Sequence, residues 1–314
     1  MQASYDNPVA VVALPGAGRL TSPQLRRWLA RSDVARDVPE TPLYAGVLRD
    51  LGRRIPESGL GALRLWGQTG ERPATWVAAA DPVYLEPQRD TLCLHALPQL
   101  APAELERLVV HLGSALGGDG FGFLRIGSLA YVTAEAPFAT AAVPATALDG
   151  KRPHAYLPQG DDARGQRRLV SEIEMALHEH PVNEERAAAG EPPVNGFWLW
   201  GGGEAPPAGS ERLPPLFGDD PVLRGYWLAR GATCARWPGS VGRCLEDSPS
   251  GFVAVAPPGP PMDDLLDDLR RALAHGRLDR LVLRFANGLR ANVSRAHLLR
   301  IWRRRHPLLE QGEP

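Results

Sequence analysis

Short apolar runs alternate with one-faced helical patterns along nearly the whole chain, and this alternation limits the fold more than any other feature. Residues 8–14 read as a short buried strand, and Thr21-Ser22-Pro23 supplies the cap and first position of a helix reaching about residue 32. Residues 83–86 and Thr91–Ala96 pattern as two strands. Pro102–Leu116 follows as a helix with Leu105, Leu108, Val109 and Leu112 on one face, and Phe121–Ile126 turns back through Gly127-Ser128 into 129–133. Together they predict a small β-β-α-β-β module.

Downstream, residues 161–180 predict a helix with Leu169, Ile173, Ala176 and Leu177 inward, and Pro181 starts a second helix that Gly190 ends. An apolar strand over 197–200 runs into Gly201, Gly202 and Gly203, and 219–230 is helical. After a strand over 252–256, a helix over 262–275 carries Asp263 and Asp264 early and Arg270 and Arg271 late, the order a helix dipole favours. Asn287-Gly288 between 281–286 and 289–293 is the firmest hairpin signal, and Ser294 is placed to cap a final basic helix over 295–305. Residues 33–72, broken by Pro39, Pro42 and Pro56, read only as helical fragments. The expectation is a mixed α/β chain in three parts: a strand-helix core segment over 1–75, the small module over 76–150, and a remainder over 151–314.

Charge narrows the function classes. With 35 Lys and Arg against 36 Asp and Glu, the formal charge is -1, which argues against a protein that coats nucleic acid. The basic stretch holding Arg295, Arg300, Arg303, Arg304 and Arg305 is the only candidate surface for such a partner, and a helix docked through Leu298, Ile301 and Trp302 explains it better. Lys151 is the one lysine, so lysine-dependent chemistry has a single possible carrier. Cys93, Cys234 and Cys244 are odd in number and lack Cys-x-x-Cys spacing, which predicts a reduced, cytoplasmic protein without a disulfide framework or zinc cluster. Residues 9–14 are too few for a membrane span or signal core.

Reactive motifs are mostly incomplete. Gly16-x-Gly18 lacks the third glycine of a dinucleotide loop and the acid-ended second strand. His178-x-His180, with Glu179, Glu184 and Glu185 nearby, has metal-binding side chains, but residues two apart on a helix do not share a face. Ser114 and Ser240 fit no nucleophile elbow, and Asp219-Asp220 reads as a solvated cap. No metal or cofactor is expected.

The densest polar segment runs from Leu177 to Gly203. It contains two of the five asparagines, Asn183 and Asn195, two of the eight tryptophans, Trp198 and Trp200, and a helix-borne Arg186. Those side chains suit either a hydrogen-bonded scaffold or a ligand site. His180-Pro-Val-Asn-x-x-Arg186, a glycine at 190, then Val194-Asn-x-Phe-Trp-Leu-Trp-Gly-Gly-Gly203 resembles the hallmark of the RpfE-type bacterial regulatory family. The same stretch is similar to archaeal-type, cofactor-independent phosphoglycerate mutases. Ala80-Asp-Pro-Val-Tyr-Leu85, Arg89-Asp-Thr-Leu-Cys-Leu94, Tyr156-Leu-Pro-Gln-Gly-Asp-Asp162 and Asp220-Pro-Val-Leu-Arg-Gly225 extend the likeness.

The mutase resemblance implies a reduced alkaline-phosphatase-like α/β core bearing the small module as an insert. It also implies a two-metal centre with a Ser or Thr nucleophile, an early Asp-Gly strand end and later Asp/His clusters. The chain departs there: residues 8–14 end without an acid, and the histidines after Gly203 are His275, His297 and His306, none in an Asp-His arrangement. The expectation is a catalytically silent regulatory or interaction protein, its alternative a mutase or phosphatase with an unconventional site. A retained pocket for a small anionic metabolite would draw on His180, Asn183, Arg186, Asn195, Trp198, Trp200 and the amides of Gly201, Gly202 and Gly203. Its partner is otherwise an unknown protein, and no membrane is involved.

Overall fold

The computed structural model describes residues 9–14, 20–89, 91–160 and 163–310. Among them, twelve strands follow one another as β1 Val9–Leu14, β2 Asp33–Arg36, β3 Val77–Gln88, β4 Thr91–Ala96, β5 Phe121–Ile126, β6 Leu129–Ala134, β7 Gly196–Gly203, β8 Leu216–Phe217, β9 Cys234–Ala235, β10 Gly251–Val255, β11 Arg280–Phe285 and β12 Leu289–Ser294. The α-helices are α1 Pro23–Ala30, α2 Leu43–Asp50, α3 Leu60–Thr69, α4 Pro102–Leu116, α5 Arg164–Leu177, α6 Pro181–Ala188, α7 Pro221–Ala229, α8 Val241–Asp247, α9 Met262–Ala274 and α10 Pro307–Glu310. The fold is mixed α/β, with two separate sheets. No helix among the described residues is long and apolar enough to cross a membrane.

Contacts divide the chain into two units. The first comprises Met1–Ile55, Ala208–Asp220 and Trp227–Pro314; the second comprises Pro56–Pro207 and Pro221–Tyr226. This differs from a linear division at residues 75 and 150. The first unit has a seven-stranded sheet in the order β2-β12-β11-β1-β10-β8-β9. β1 lies inside it, parallel to both β10 and β11, and a strand covered on both faces has no need of polar alternation, hence Val-Ala-Val-Val-Ala-Leu. β11 and β12 form the antiparallel hairpin around Asn287-Gly288, with Gly288 at φ +79°. β2 pairs with β12 as a four-residue, charged edge strand. It replaces the helical fragment expected there, because so short and exposed a strand carries no apolar period. α9 has Asp263 and Asp264 in its first turn and Arg271 in its last, and Asp263 also accepts hydrogen bonds from the Thr21 and Ser22 amides at the start of α1.

A buried ion cluster braces this unit. The Arg284 guanidinium contacts Asp37 and lies 3.2 Å from Asp50, while Arg290 reaches Asp50 at 2.8 Å. Burial pushes the Asp50 carboxyl up, against the pull of the two arginines. Gly46 of α2 leaves room for the guanidinium: a Cβ there would sit 2.2 Å from Arg284 Cζ.

The expected basic helix over 295–305 does not form. A single 3-10 turn, Arg295–Leu299, is followed by irregular chain to α10. Arg300 donates to Asp33 Oδ1 at 2.7 Å, Arg303 reaches the Ser32 carbonyl, and His297 lies 3.3 Å from Asp33. These contacts with the β2 end draw the chain away from a continuous helix. Leu298 packs on the core, whereas Leu299, Ile301 and Trp302 are 74%, 66% and 73% exposed.

The second unit is built on β3, twelve residues long rather than the four patterned as strand. Ala79 pairs with Tyr131 of β6 and with Trp200 of β7, and Glu86 farther along pairs with Cys93 of β4. β5 completes the antiparallel sheet. The module expected over 76–150 therefore gains a fifth strand from a distant segment. It gains its cover likewise: Leu105, Leu108 and Leu112 of α4 share one core with Leu169, Ile173 and Leu177 of α5, Val182 of α6 and Phe197 and Leu199 of β7.

Candidate functional site

The segment from His180 to Gly203 turns from helix to strand within the second unit, and its polar side chains direct that turn. His180 caps α6, its Nδ1 accepting the Val182 amide at 3.2 Å, and Pro181 occupies the first turn, where no amide is required. Asn183 donates to the carbonyls of Leu177 (3.0 Å) and Val194 (2.9 Å), and its Oδ1 accepts the Val194 amide at 2.8 Å. One side chain thus ties the end of α5 to the approach to β7. Asn195 accepts the Leu85 amide at 2.7 Å and donates to the Leu85 carbonyl at 2.9 Å, standing in for a strand's backbone beside β3.

Arg186 is buried. Its Nε donates to the Pro192 carbonyl at 2.8 Å and its Nη1 to Glu104 of α4 at 3.0 Å, with Glu191 at 3.9 Å. Trp198 donates to the Val143 carbonyl and Trp200 to Asp81 Oδ2, both at 2.8 Å. The Gly201 amide is taken by the Ala141 carbonyl and the Gly202 amide by Thr140 Oγ1, each at 2.8 Å. Gly201 and Gly203 serve a close approach of β7 to the start of α3, while Gly202 makes room for Trp76 and Thr140. Gly201 has φ +63°, and a Cβ on it would lie 2.8 Å from Leu60 Cβ; on Gly203 it would lie 2.4 Å from the Gly59 amide nitrogen. Anion-binding donors of the right kinds are therefore adjacent, but the protein itself already uses them.

Beneath the strand lies a polar cluster that pattern reading did not pick out. Arg64 of α3 donates to Asp81 Oδ1 at 2.7 Å, and Asp81 Oδ2 accepts from Trp200 and from the Ala145 amide at 3.2 Å. The guanidinium lies 5.3 Å from the Tyr131 ring centroid and 5.6 Å from that of Trp200. Tyr131 donates to Gln68 at 2.6 Å, and burial raises its hydroxyl well above the usual tyrosine range. The available signal was a lone arginine in the apolar run Leu60-Gly-Ala-Leu-Arg-Leu-Trp66, within a stretch read only as fragments.

Similarity to known proteins is partial. No family model matches the chain. A 67-residue stretch is 36% identical to the 2,3-bisphosphoglycerate-independent phosphoglycerate mutase of Methanosarcina barkeri, covering 21% of this chain and 17% of that one. The match thus spans about a sixth of that relative's length. The cofactor-independent phosphoglycerate mutase of Thermoplasma acidophilum superposes with a TM-score of 0.44 at 15% identity, over 91% of this chain and 90% of the other. The PH0037 protein of Pyrococcus horikoshii gives 0.48 at 12% identity, over 92% and 88%.

One part of the motif does face open space. A cavity of about 480 Å³ is lined by His111, Met175, Ala176, His178, Glu179, His180 and Pro181. The His111 and His180 rings meet edge to face, 4.8 Å between centroids, and His111 Nε2 lies 3.0 Å from the Ala176 carbonyl. Burial lowers the His180 pKa from its ordinary 6.5, helped by His111 and Arg107 and opposed by Glu185. Arg107 is held by a two-pronged pair with Glu185 at 2.6 and 2.8 Å. His178 and Glu179 reach the cavity rim from the α5–α6 junction, so His178 and His180 line one space although they share no helix face.

Among the described residues, Glu86, Cys93 and His95 are the one group of three side chains placed to share a metal ion. They lie on β3 and β4, not in the His178 segment. Gly16, Gly18, Asp161 and Asp162 lie outside the described residues.

Proposed function

We propose that this chain is a regulatory or interaction protein of the RpfE type, built on a phosphoglycerate-mutase-like scaffold and without mutase or phosphatase chemistry of its own. The observation that carries this reading is the internal use of the motif's donors. Arg186 serves Glu104 and Pro192, the two asparagines serve backbone groups, and the Gly201 and Gly202 amides serve Ala141 and Thr140. Transferring a phosphoryl group requires donors free to follow the charge on the moving group. Donors committed to buried scaffold bonds are not free to do so without a cost of about 1–3 kcal/mol each.

The small anionic effector belongs in the cavity beside His180 rather than at Arg186. The His111, His178 and His180 imidazoles line that space together with Glu179, and their ring nitrogens can hydrogen-bond a carboxylate or phosphate. The protein works in a reducing compartment, consistent with three free thiols.

Two measurements test this. Purified protein supplied with manganese, magnesium or zinc should leave 3-phosphoglycerate unconverted; metal-dependent formation of 2-phosphoglycerate would overturn the non-catalytic reading in favour of an enzyme with an unconventional site. Thermal shift with phosphoglycerates at pH 6 should stabilise the wild type, by about 2.7 kcal/mol at a hundredfold excess over Kd. An equal shift in His111→Gln and His178→Gln would exclude the cavity.

A further inference from the structure

The β3–β4 hairpin places three metal-binding side chains on one face of the sheet. Cys93 and His95 are two apart on β4 and so point the same way, and the register sets Glu86 directly across from Cys93. Their ligand atoms all lie within 4.8 Å of one another, and Glu86 Oε2 is already 3.1 Å from His95 Nε2. Four-coordinate zinc, with bonds near 2.0–2.3 Å, needs ligand atoms about 3.3–3.6 Å apart. Side-chain torsions can close the remaining gap without moving the strands.

The surroundings suit an ion. Cys93 forms the inner wall, 6% exposed, while Glu86 and His95 are half-exposed and leave a way in. The Tyr84 ring, opposite His95 in the register, stacks on the imidazole at 5.9 Å and 23° and helps set its orientation. A plain cross-strand hydrogen bond between Glu86 and His95 accounts for those two residues, but it does not require a thiol beside them.

We propose that Glu86, Cys93 and His95 form a binding site for a zinc-class divalent cation, with a fourth coordination position left to water or an external ligand. A thiolate, an imidazole and a carboxylate together favour a borderline-soft ion over magnesium or calcium, which take all-oxygen shells. The ion would replace the exposed Glu86–His95 contact and clamp the hairpin's outer half. The other thiols are poorly placed to compete: Cys244 is buried, its pKa pushed up to about 12 by burial and the Asp247 charge, and Cys234 belongs to no such group among the described residues.

Cobalt(II) added to the reduced, metal-free full chain reports the thiolate through its sulfur-to-cobalt charge-transfer absorption, and zinc displaces it. One equivalent should produce the band, Cys93→Ser should abolish it, and Cys234→Ser and Cys244→Ser should retain it. His95→Gln and Glu86→Gln, at half-exposed positions, should each weaken zinc binding by more than about tenfold, since losing even an outer partner of a ligand costs about 10–100-fold. No band in the wild type, or a band that survives Cys93→Ser, would overturn the proposal. Should Cys93→Ser fail to fold, unchanged zinc affinity in both half-exposed variants would overturn it equally.

Discussion

Single side chains in this protein often do the work of backbone. Asn183 and Asn195 close hydrogen bonds that no strand or helix supplies, so Asn183→Ala and Asn195→Ala should each cost about 1–3 kcal/mol, the penalty for leaving their part-buried backbone partners unpaired. Urea unfolding measures it, and unchanged midpoints would place both residues outside the scaffold. Gly46→Ala tests the ion cluster. Its methyl would meet the Arg284 guanidinium, which Asp37 and Asp50 hold in place, and overpacking of this sort costs about 1–3 kcal/mol. His180 gives a pH signature. Because its folded pKa lies below the ordinary 6.5, the unfolded chain binds the proton more readily. The stabilisation is full above pH 6.5 and is lost as pH falls through the lowered value. Stability measured from pH 7.5 to 5 should drop more steeply in the wild type than in His180→Gln; parallel curves would rule out this contribution.

At the scale of elements, the decisive contact is β7 against α3. Gly201 combines a positive φ with backbone and side-chain neighbours inside 3 Å of any added Cβ, including Leu60 Cβ and the Gly61 amide nitrogen. Gly201→Ala should therefore be more damaging than Gly190→Ala, whose positive φ opens onto free space. Comparing the two melting temperatures separates close packing from backbone strain, and equal losses would refute the packing role. The terminal segment offers a contrasting case. A capping serine and apolar residues at helical spacing were present, yet Asp33 and the Ser32 carbonyl bind Arg300 and Arg303 and the helix is not made.

For the molecule as a whole, the second unit joins residues far apart in sequence. A fragment of residues 76–150 holds four strands and α4 but lacks β7, α5 and α6, and with them Leu169, Ile173, Leu177, Phe197 and Leu199 of its core. Expressed alone it should show no cooperative thermal transition by circular dichroism; a sharp one would contradict the unit's boundaries. The sequence by itself determined what depends on neighbours along the chain: the Asn287-Gly288 turn, the 102–116 helix with its apolar face, the Pro181 helix start and the dipole order of α9. Those follow from allowed backbone angles and from periodicity, which act within a few residues. Only the tertiary structure decided which partners meet: Arg186 with Glu104, Arg64 with Asp81 and Trp200, β7 with β3, and Glu86 beside Cys93 and His95. Partner choice across tens of residues is set by strand register and by shared burial in one core, and neither is written in the local spacing of side chains.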